Sequence, residues 1–150
     1  MIPVFQAVVD PVLGDCYRAA VASVLDLSLE EIPADIQSGF TMEKFLRRRG
    51  LSALYLAEHR LQPKGPECGV SPWDARRLVR FDYAVGATAI AIVPSQMFSD
   101  GWHAIVVQFV LQPEGWVEVE CIHDPNPGNG PYDMSVTHLR SLTFFIPRTS

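Results

Sequence analysis

Apolar residues recur along this chain with two different periods, and the change of period separates a helical first half from a strand-rich second half. From Asp15 to Leu27 and from Thr41 to Arg49 the apolar side chains fall three or four residues apart, which predicts two amphipathic helices. Between them Ser28 and Glu31 match a capping box, which predicts a short helical turn that Pro33 ends.

Two residues set the predicted bounds of the second helix. Thr41 is predicted to be its N-cap, because a side-chain oxygen there can accept a hydrogen bond from a backbone N–H that the first turn leaves unpaired. Gly50 is predicted to end the helix, since glycine adopts the left-handed conformation that closes many helices.

Strand patterns, rich in β-branched and aromatic residues, fill most of the remaining chain. The predicted strands begin at Leu51, Ala87, Trp102, Trp116 and Leu142. A hairpin turn is predicted at 112–115, and a further helix is predicted to begin at Ser71. Helices followed by strands predict an α+β fold, with the helices packed on one face of a C-terminal antiparallel sheet.

Composition limits the classes of protein to consider. A chain of 150 residues favours a single domain over 1–150, and a hydrophobic fraction of 48% with 19% charged residues is typical of globular proteins. The formal net charge of −5 argues against a nucleic-acid partner. The longest apolar stretches have about ten residues, half of what a transmembrane helix needs, so no membrane partner is expected.

The cysteines indicate the compartment. Cys16, Cys68 and Cys121 cannot all pair, and none has the spacing of a zinc site. The first residues show no pattern of a secretory signal. We therefore expect a cytoplasmic protein without a metal or other cofactor, and the sequence makes no prediction of the oligomeric state.

Cys16 is the first candidate for chemistry, because the periodicity puts it at the start of a helix. A helix N-terminus lowers a thiol pKa, and the thiolate is the nucleophilic form. Gly14 and Asp15 allow the backbone to bend sharply into the helix, and backbone N–H groups there can stabilise an oxyanion. The structural alternative is that Cys16 is a small buried residue of the helix.

His103 and Asp124 are the candidate base and the candidate residue that orients it. His103 opens one predicted strand, and Asp124 ends the next. If 112–115 form a tight hairpin, these two strand ends lie side by side. Asp124 can then hold one ring nitrogen of His103 while the other faces Cys16. The alternatives are a structural histidine, a turn-starting aspartate, or His123 in the role of Asp124.

Three segments resemble the Cys, His and Asp boxes of papain-like cysteine peptidases. They are VFQAVVDPVLGDCYRAAVASVLDLSLEEIP, GWHAIVV and HDPNPG, and within that superfamily they are most similar to the peptidases that process bacteriocin leaders and to small single-domain relatives from bacteria and phages. The resemblance covers the chain from Val4 to about Gly128. It implies a papain-like fold with an N-terminal catalytic helix, a Cys16, His103 and Asp124 triad, and a peptide or protein substrate.

The resemblance also implies a glutamine that lines the oxyanion hole. Gln6 is the matching residue, but it lies ten residues ahead of Cys16, where the bacteriocin-processing pattern has six. Either the intervening loop absorbs the extra residues or the oxyanion hole consists of backbone N–H groups alone. Asp10, at the expected spacing, is unsuited because a carboxylate repels the developing charge. Trp102, beside His103, is a candidate wall of the substrate groove.

Four hypotheses for function follow from these residues. The first is a cysteine hydrolase that cleaves a peptide, isopeptide or other amide bond through an acyl-enzyme thioester. The same triad also serves an acyltransferase, in which an amine replaces water. The third is a catalytically idle binding or inhibitor protein on the same scaffold, and the fourth is a structural domain without this chemistry.

Overall fold

The structure is a computed structural model, and it describes residues 1–9, 14–57, 85–115, 117–128, 132, 134 and 139–148. Within these residues the chain forms two α-helices, one 3₁₀ turn and five strands. Their bounds are α1 Cys16–Leu25, the 3₁₀ turn Leu29–Glu31, α2 Gly39–Arg47, β1 Leu51–Ala57, β2 Thr88–Pro94, β3 Trp102–Leu111, β4 Val117–His123 and β5 Ser141–Pro147. The predictions for Asp10, Cys68, the helix at Ser71 and the strand residue Trp116 lie outside the described residues.

The five strands form one antiparallel sheet in the order β1-β5-β2-β3-β4. This confirms the predicted α+β class and the five predicted strands, and β1, β2, β3 and β5 begin within one residue of their predicted first positions. The predicted hairpin turn at 112–115 joins β3 to β4, with the Gly115 N–H donating to the Gln112 carbonyl at 2.9 Å. Gly115 has φ +91°, which side chains rarely allow.

Local interactions explain where the helical segments begin. The Glu31 carboxylate accepts a hydrogen bond from the Ser28 N–H at 2.9 Å, as the capping-box pattern predicts. The prediction of Thr41 as the N-cap of α2 is wrong, because the helix already begins at Gly39 after Ser38. The Thr41 hydroxyl instead donates to the Asp35 carboxylate at 2.6 Å, which ties the first turn of α2 to the preceding loop.

Both faces of the sheet are apolar. On one face Val21 of α1 and Leu46 of α2 pack against sheet residues that include Ile90 and Val106, and all four are at most 1% exposed. The opposite face carries a second buried cluster that includes Phe109 and Phe144. Burial on both faces explains why β2 and β3 are near-continuous apolar runs and lack strict alternation. Helix α1 therefore lies across the middle of the sheet, against β3 and β2.

The helices in the described part of the chain are short or polar, and none is long and apolar enough to cross a membrane.

The contrast between Phe109 and Leu111, two residues apart in β3, tests this packing. Phe109 is 0% exposed and Leu111 is 55% exposed. We expect Phe109→Ala to lower the free energy of unfolding by about 3–5 kcal/mol, through lost burial and the cavity it leaves. Leu111→Ala, the matched control, should change it by no more than about 0.5 kcal/mol. Urea denaturation measures both, and equal losses would contradict the packing.

Candidate active site

Cys16, His103 and Asp124 converge at one end of the sheet. Cys16 is the first residue of α1, His103 is the second residue of β3, and Asp124 follows the last residue of β4. The Nε2 atom of His103 lies 2.6 Å from Oδ1 of Asp124. The same ring is close enough to the Cys16 thiol to lower the pKa of that thiol, and Nδ1 is the nitrogen that remains for the contact. The imidazole therefore bridges the sulfur and the carboxylate.

The pairing of β3 with β4 contains a one-residue irregularity close to this site. Val107 pairs with Cys121, whereas the adjacent Val106 pairs with His123. Ile122 therefore lies between two paired residues without a partner of its own, which is the pattern of a β-bulge.

The bulge decides which way the Asp124 side chain faces. Side chains alternate between the two faces along a strand. If the regular pairing continued from Val107 and Cys121 without the extra residue, the Asp124 side chain would lie on the face of the sheet opposite His103. The inserted residue reverses the alternation for the residues that follow, so the carboxylate reaches the imidazole.

The turn after β4 fixes the Asp124 carboxylate further. Its Oδ1 atom also accepts a hydrogen bond from the Asn126 N–H at 2.8 Å, and the Asn126 side-chain oxygen accepts one from the Gly128 N–H at 3.0 Å. These are successive Asx turns, in which a short side chain caps the backbone two residues on. Asn126, 5% exposed, is a positioning residue that the sequence reasoning missed; its signal was the Asp-Pro-Asn-Pro-Gly run.

Both reactive groups have shifted pKa values. Burial raises the pKa of the Cys16 thiol, but hydrogen bonds from His103 and from the Ala104 N–H, with the charge of His103, outweigh it and lower the pKa below its ordinary value. Burial lowers the pKa of His103, but the hydrogen bonds and negative charges of Asp124 and Cys16 raise it to about 9. The arrangement favours a thiolate beside an imidazolium.

Cys121 has the opposite environment. It packs against the buried cluster on the face of the sheet that carries Phe109, together with Val117 and Val119 of the same strand. Burial raises the pKa of its thiol, and the charge of Asp124 adds to this. Cys121 therefore provides an internal comparison for Cys16.

Gln6 lies beside Cys16 despite the long spacing between them. The two residues line the same small cavity of about 30 Å³, together with His103. The Gln6 N–H donates to the Pro125 carbonyl at 2.9 Å, and the residue is 8% exposed. Asp10 lies outside the described residues.

Asp15 draws the segment after Gln6 back to the start of α1. Its carboxylate accepts hydrogen bonds from the Val8 N–H at 3.1 Å and from the Ala7 N–H at 3.4 Å. Its own N–H donates to the Val8 carbonyl at 3.3 Å. These contacts bring Ala7 and Val8 to the start of α1, so that Gln6 lies near the sulfur although it is ten positions ahead of Cys16.

Two buried side-chain atoms of the described residues have no hydrogen-bond partner, and both belong to this site. They are Oε1 of Gln6 and Oδ2 of Asp124. A buried polar atom without a partner costs free energy, and such costs occur preferentially at functional sites.

His123 has a structural role. Its Nε2 atom donates to the Val4 carbonyl at 2.9 Å, and its ring meets the Phe5 ring edge to face at 5.2 Å between centroids. The alternative that His123 replaces Asp124 at His103 is therefore wrong, because His123 pairs with Val106 and so faces the side of the sheet opposite His103. His123 holds the N-terminal segment and Asp124 holds the base.

A groove opens beside the sulfur. A cavity of about 660 Å³ is lined by Cys16, His103 and Trp102, whose side chain is 43% exposed. A second cavity of about 550 Å³ lies between α2 and β1. Tyr17 and Tyr55 line both cavities, so the two form one continuous surface. Trp102, the candidate wall residue, lines the first of these cavities.

Among the described residues, no three His, Cys, Asp or Glu side chains are close enough to hold a metal ion.

The pKa of Cys16 is lowered and that of Cys121 is raised, so the two thiols should differ in reactivity. We expect Cys16 to react with iodoacetamide at about pH 6 at least about tenfold faster than Cys121, because only the thiolate attacks. In His103→Ala the lead of Cys16 should disappear. Peptide mass spectrometry between about pH 5 and about pH 9 measures both rates, and the urea-unfolded protein, in which the thiols should react alike, is the control. A slow Cys16 in the folded wild type would contradict the thiolate assignment.

Comparisons with protein-family models, with curated proteins and with solved structures each found no significant match to this chain. A function assigned to it therefore depends on the chemistry of its own residues.

Proposed function

We propose that this protein is a papain-like cysteine hydrolase that cleaves an amide bond in a peptide or protein through an acyl-enzyme on Cys16. The observation that carries the proposal is the bridge from the Cys16 thiol through His103 to Asp124, with 2.6 Å between Nε2 and Oδ1. The chain order also supports the papain-like class, because the helix with the cysteine precedes the antiparallel strands with the histidine and the aspartate.

The reaction follows from the charges of the pair. The Cys16 thiolate attacks the scissile carbonyl carbon, and the carbonyl oxygen gains the negative charge. The imidazolium of His103 then donates its Nδ1 proton to the leaving amine as the C–N bond breaks, which leaves a thioester on Cys16. Neutral His103 next takes a proton from water, the hydroxide attacks the thioester, and the acid and thiolate are released. Asp124 holds the ring throughout by accepting from Nε2.

The oxyanion needs donors that face the carbonyl oxygen as charge develops on it. The start of α1 provides backbone N–H groups, since the first N–H groups of a helix have no partner within it. The Gln6 side chain lies at the same small cavity as Cys16 and His103, and in this proposal its amide nitrogen is a further donor. The positive end of the α1 helix dipole also stabilises the negative charge that develops on this oxygen.

The groove indicates an extended substrate. Its two adjoining cavities run from the sulfur past Trp102 and Tyr55 to the surface between α2 and β1. A chain molecule with side chains on both sides of the scissile bond fits that shape better than a compact metabolite does.

A burst experiment tests the hydrolase against the other hypotheses. With p-nitrophenyl acetate we expect a burst of one acetyl group on Cys16, followed by steady turnover, and neither in Cys16→Ala. Acetylation without turnover would favour the idle binding protein, and turnover that accelerates with an added amine would favour an acyltransferase. Absence of acetylation in the folded wild type would overturn the proposal.

The pH profile of kcat/KM for a peptide amide reports on the triad of the free enzyme, because acylation by an amide needs both the Cys16 thiolate and protonated His103. We expect activity to rise through the lowered pKa of Cys16 and to fall near pH 9, where His103 loses its proton. In Asp124→Asn the alkaline fall should move to lower pH, because the carboxylate raises the pKa of His103. If Asp124 had only a structural role, Asp124→Asn would lower the amount of folded protein without shifting the alkaline limb of the pH profile.

Asp15 is predicted to act through Gln6 as a positioning residue. We expect Gln6→Ala to slow acylation about a hundredfold, as loss of one oxyanion donor does. Asp15→Ala should slow it about tenfold, and adding Asp15→Ala to Gln6→Ala should cost little more, since the two act together. Asp15→Asn, which retains one acceptor, should recover part of the rate.

The control for Asp15 is alkylation of Cys16 by iodoacetamide, which needs no oxyanion hole. Its rate should be nearly unchanged in Gln6→Ala and in Asp15→Ala. Additive losses in the double variant, or a parallel loss of alkylation, would contradict the positioning role.

A further inference from the structure

An arginine stands over the tryptophan that borders the reactive cysteine. The guanidinium carbon of Arg140 lies 4.4 Å from the centre of the Trp102 ring. Both residues line the cavity that contains Cys16 and His103. We propose that Arg140 is a specificity-determining residue, which selects substrates that carry a carboxylate close to the scissile bond. This rests on the proposed function and adds the substrate class to it.

The guanidinium is available for such a carboxylate. Among the described residues, Arg140 makes no ion pair, and its side chain contacts the Trp102 ring. Stacking occupies the face of a guanidinium and leaves the N–H donors at its edge unused. Those donors form a planar fork that matches a carboxylate with two parallel hydrogen bonds.

The position of Arg140 is set by the sheet. Its N–H donates to the Ile92 carbonyl of β2 at 2.8 Å, and the next residue, Ser141, begins β5 and pairs with Ile92. The backbone is thus fixed on one side and the side chain is held by Trp102 on the other. A pre-positioned charge loses less side-chain entropy on binding than a free surface arginine does.

Apart from the Cys16 and His103 pair, Asp100 is the one other charged side chain among the described residues that line this cavity, and it is exposed. Like charges repel, so a substrate carboxylate avoids Asp100 and is attracted to Arg140, which lies over Trp102. A basic substrate group there would meet the guanidinium and is disfavoured.

Three alkylating probes test the selection without requiring hydrolysis. They are iodoacetyl-glutamate amide, iodoacetyl-glutamine amide and iodoacetyl-glutamine with a free carboxylate. All three share the reactive carbon, and they differ in whether a carboxylate is absent, on the side chain or at the C-terminus. The ratio of their rates at Cys16 reports how strongly a nearby carboxylate is attracted, and which of the two sources is preferred.

In the wild type we expect one carboxylate probe to react up to about tenfold faster than the neutral probe at low salt. The preference should shrink as salt is added. Arg140→Gln should bring the ratio close to one, and Arg140→Glu should invert it. Arg48→Glu, an exposed residue at the end of α2, makes the same change of net charge and should leave the ratio as in the wild type.

The proposal is overturned if the wild-type ratio is near one, or if Arg140→Glu leaves it unchanged. These outcomes are separate from a failure of the hydrolase proposal, which shows as absent acetylation by p-nitrophenyl acetate, a probe without a carboxylate. If the ratio of alkylation rates behaves as expected but acetylation is absent, Arg140 selects carboxylates at a binding site, and the hydrolase proposal fails.

Discussion

The buried hydrogen bond between His103 and Asp124 is the contact on which the rest of the site depends. It joins Nε2 to Oδ1 over 2.6 Å, with the Asp124 side chain 2% exposed. Little water screens this pair, so the carboxylate favours the protonated imidazole strongly. That charge in turn lowers the pKa of Cys16. Without the carboxylate, burial would push both groups towards their neutral forms, and the thiol would be an ordinary one.

This contact links the chemistry to an irregularity of the sheet. Ile122 is the extra residue of the β-bulge, and His123 and Asp124 after it face opposite sides. His123 contacts the carbonyl of Val4, and Asp124 contacts His103. The end of β4 therefore holds His103 through Asp124 and anchors, through His123, the segment that leads to Gln6. One strand end thus positions both the imidazole and the proposed oxyanion donor.

The sequence predicts the helices and strands better than it predicts their ends and irregularities. The helix around Val21 and the strands β2 and β3 are confirmed. They could be predicted because burial decides where apolar residues fall along a chain, and their spacing shows this directly. The N-cap at Thr41 was wrong because a hydroxyl can satisfy a distant carboxylate as well as a backbone N–H. The bulge has no sequence signature, since a single unpaired Ile122 resembles any other strand residue. Asp15 could not be recognised because its partners are backbone amides.

Stability alone gives no reason for this arrangement. A buried ion pair is often less stabilising than apolar residues of the same size, because two charges must leave water. Here the pair coincides with two buried atoms, Oε1 of Gln6 and Oδ2 of Asp124, that have no partner among the described residues. Each of these features opposes folding, and elsewhere the described core is apolar or hydrogen-bonded. A cost concentrated around one thiol with a lowered pKa supports the proposal of chemistry at that thiol.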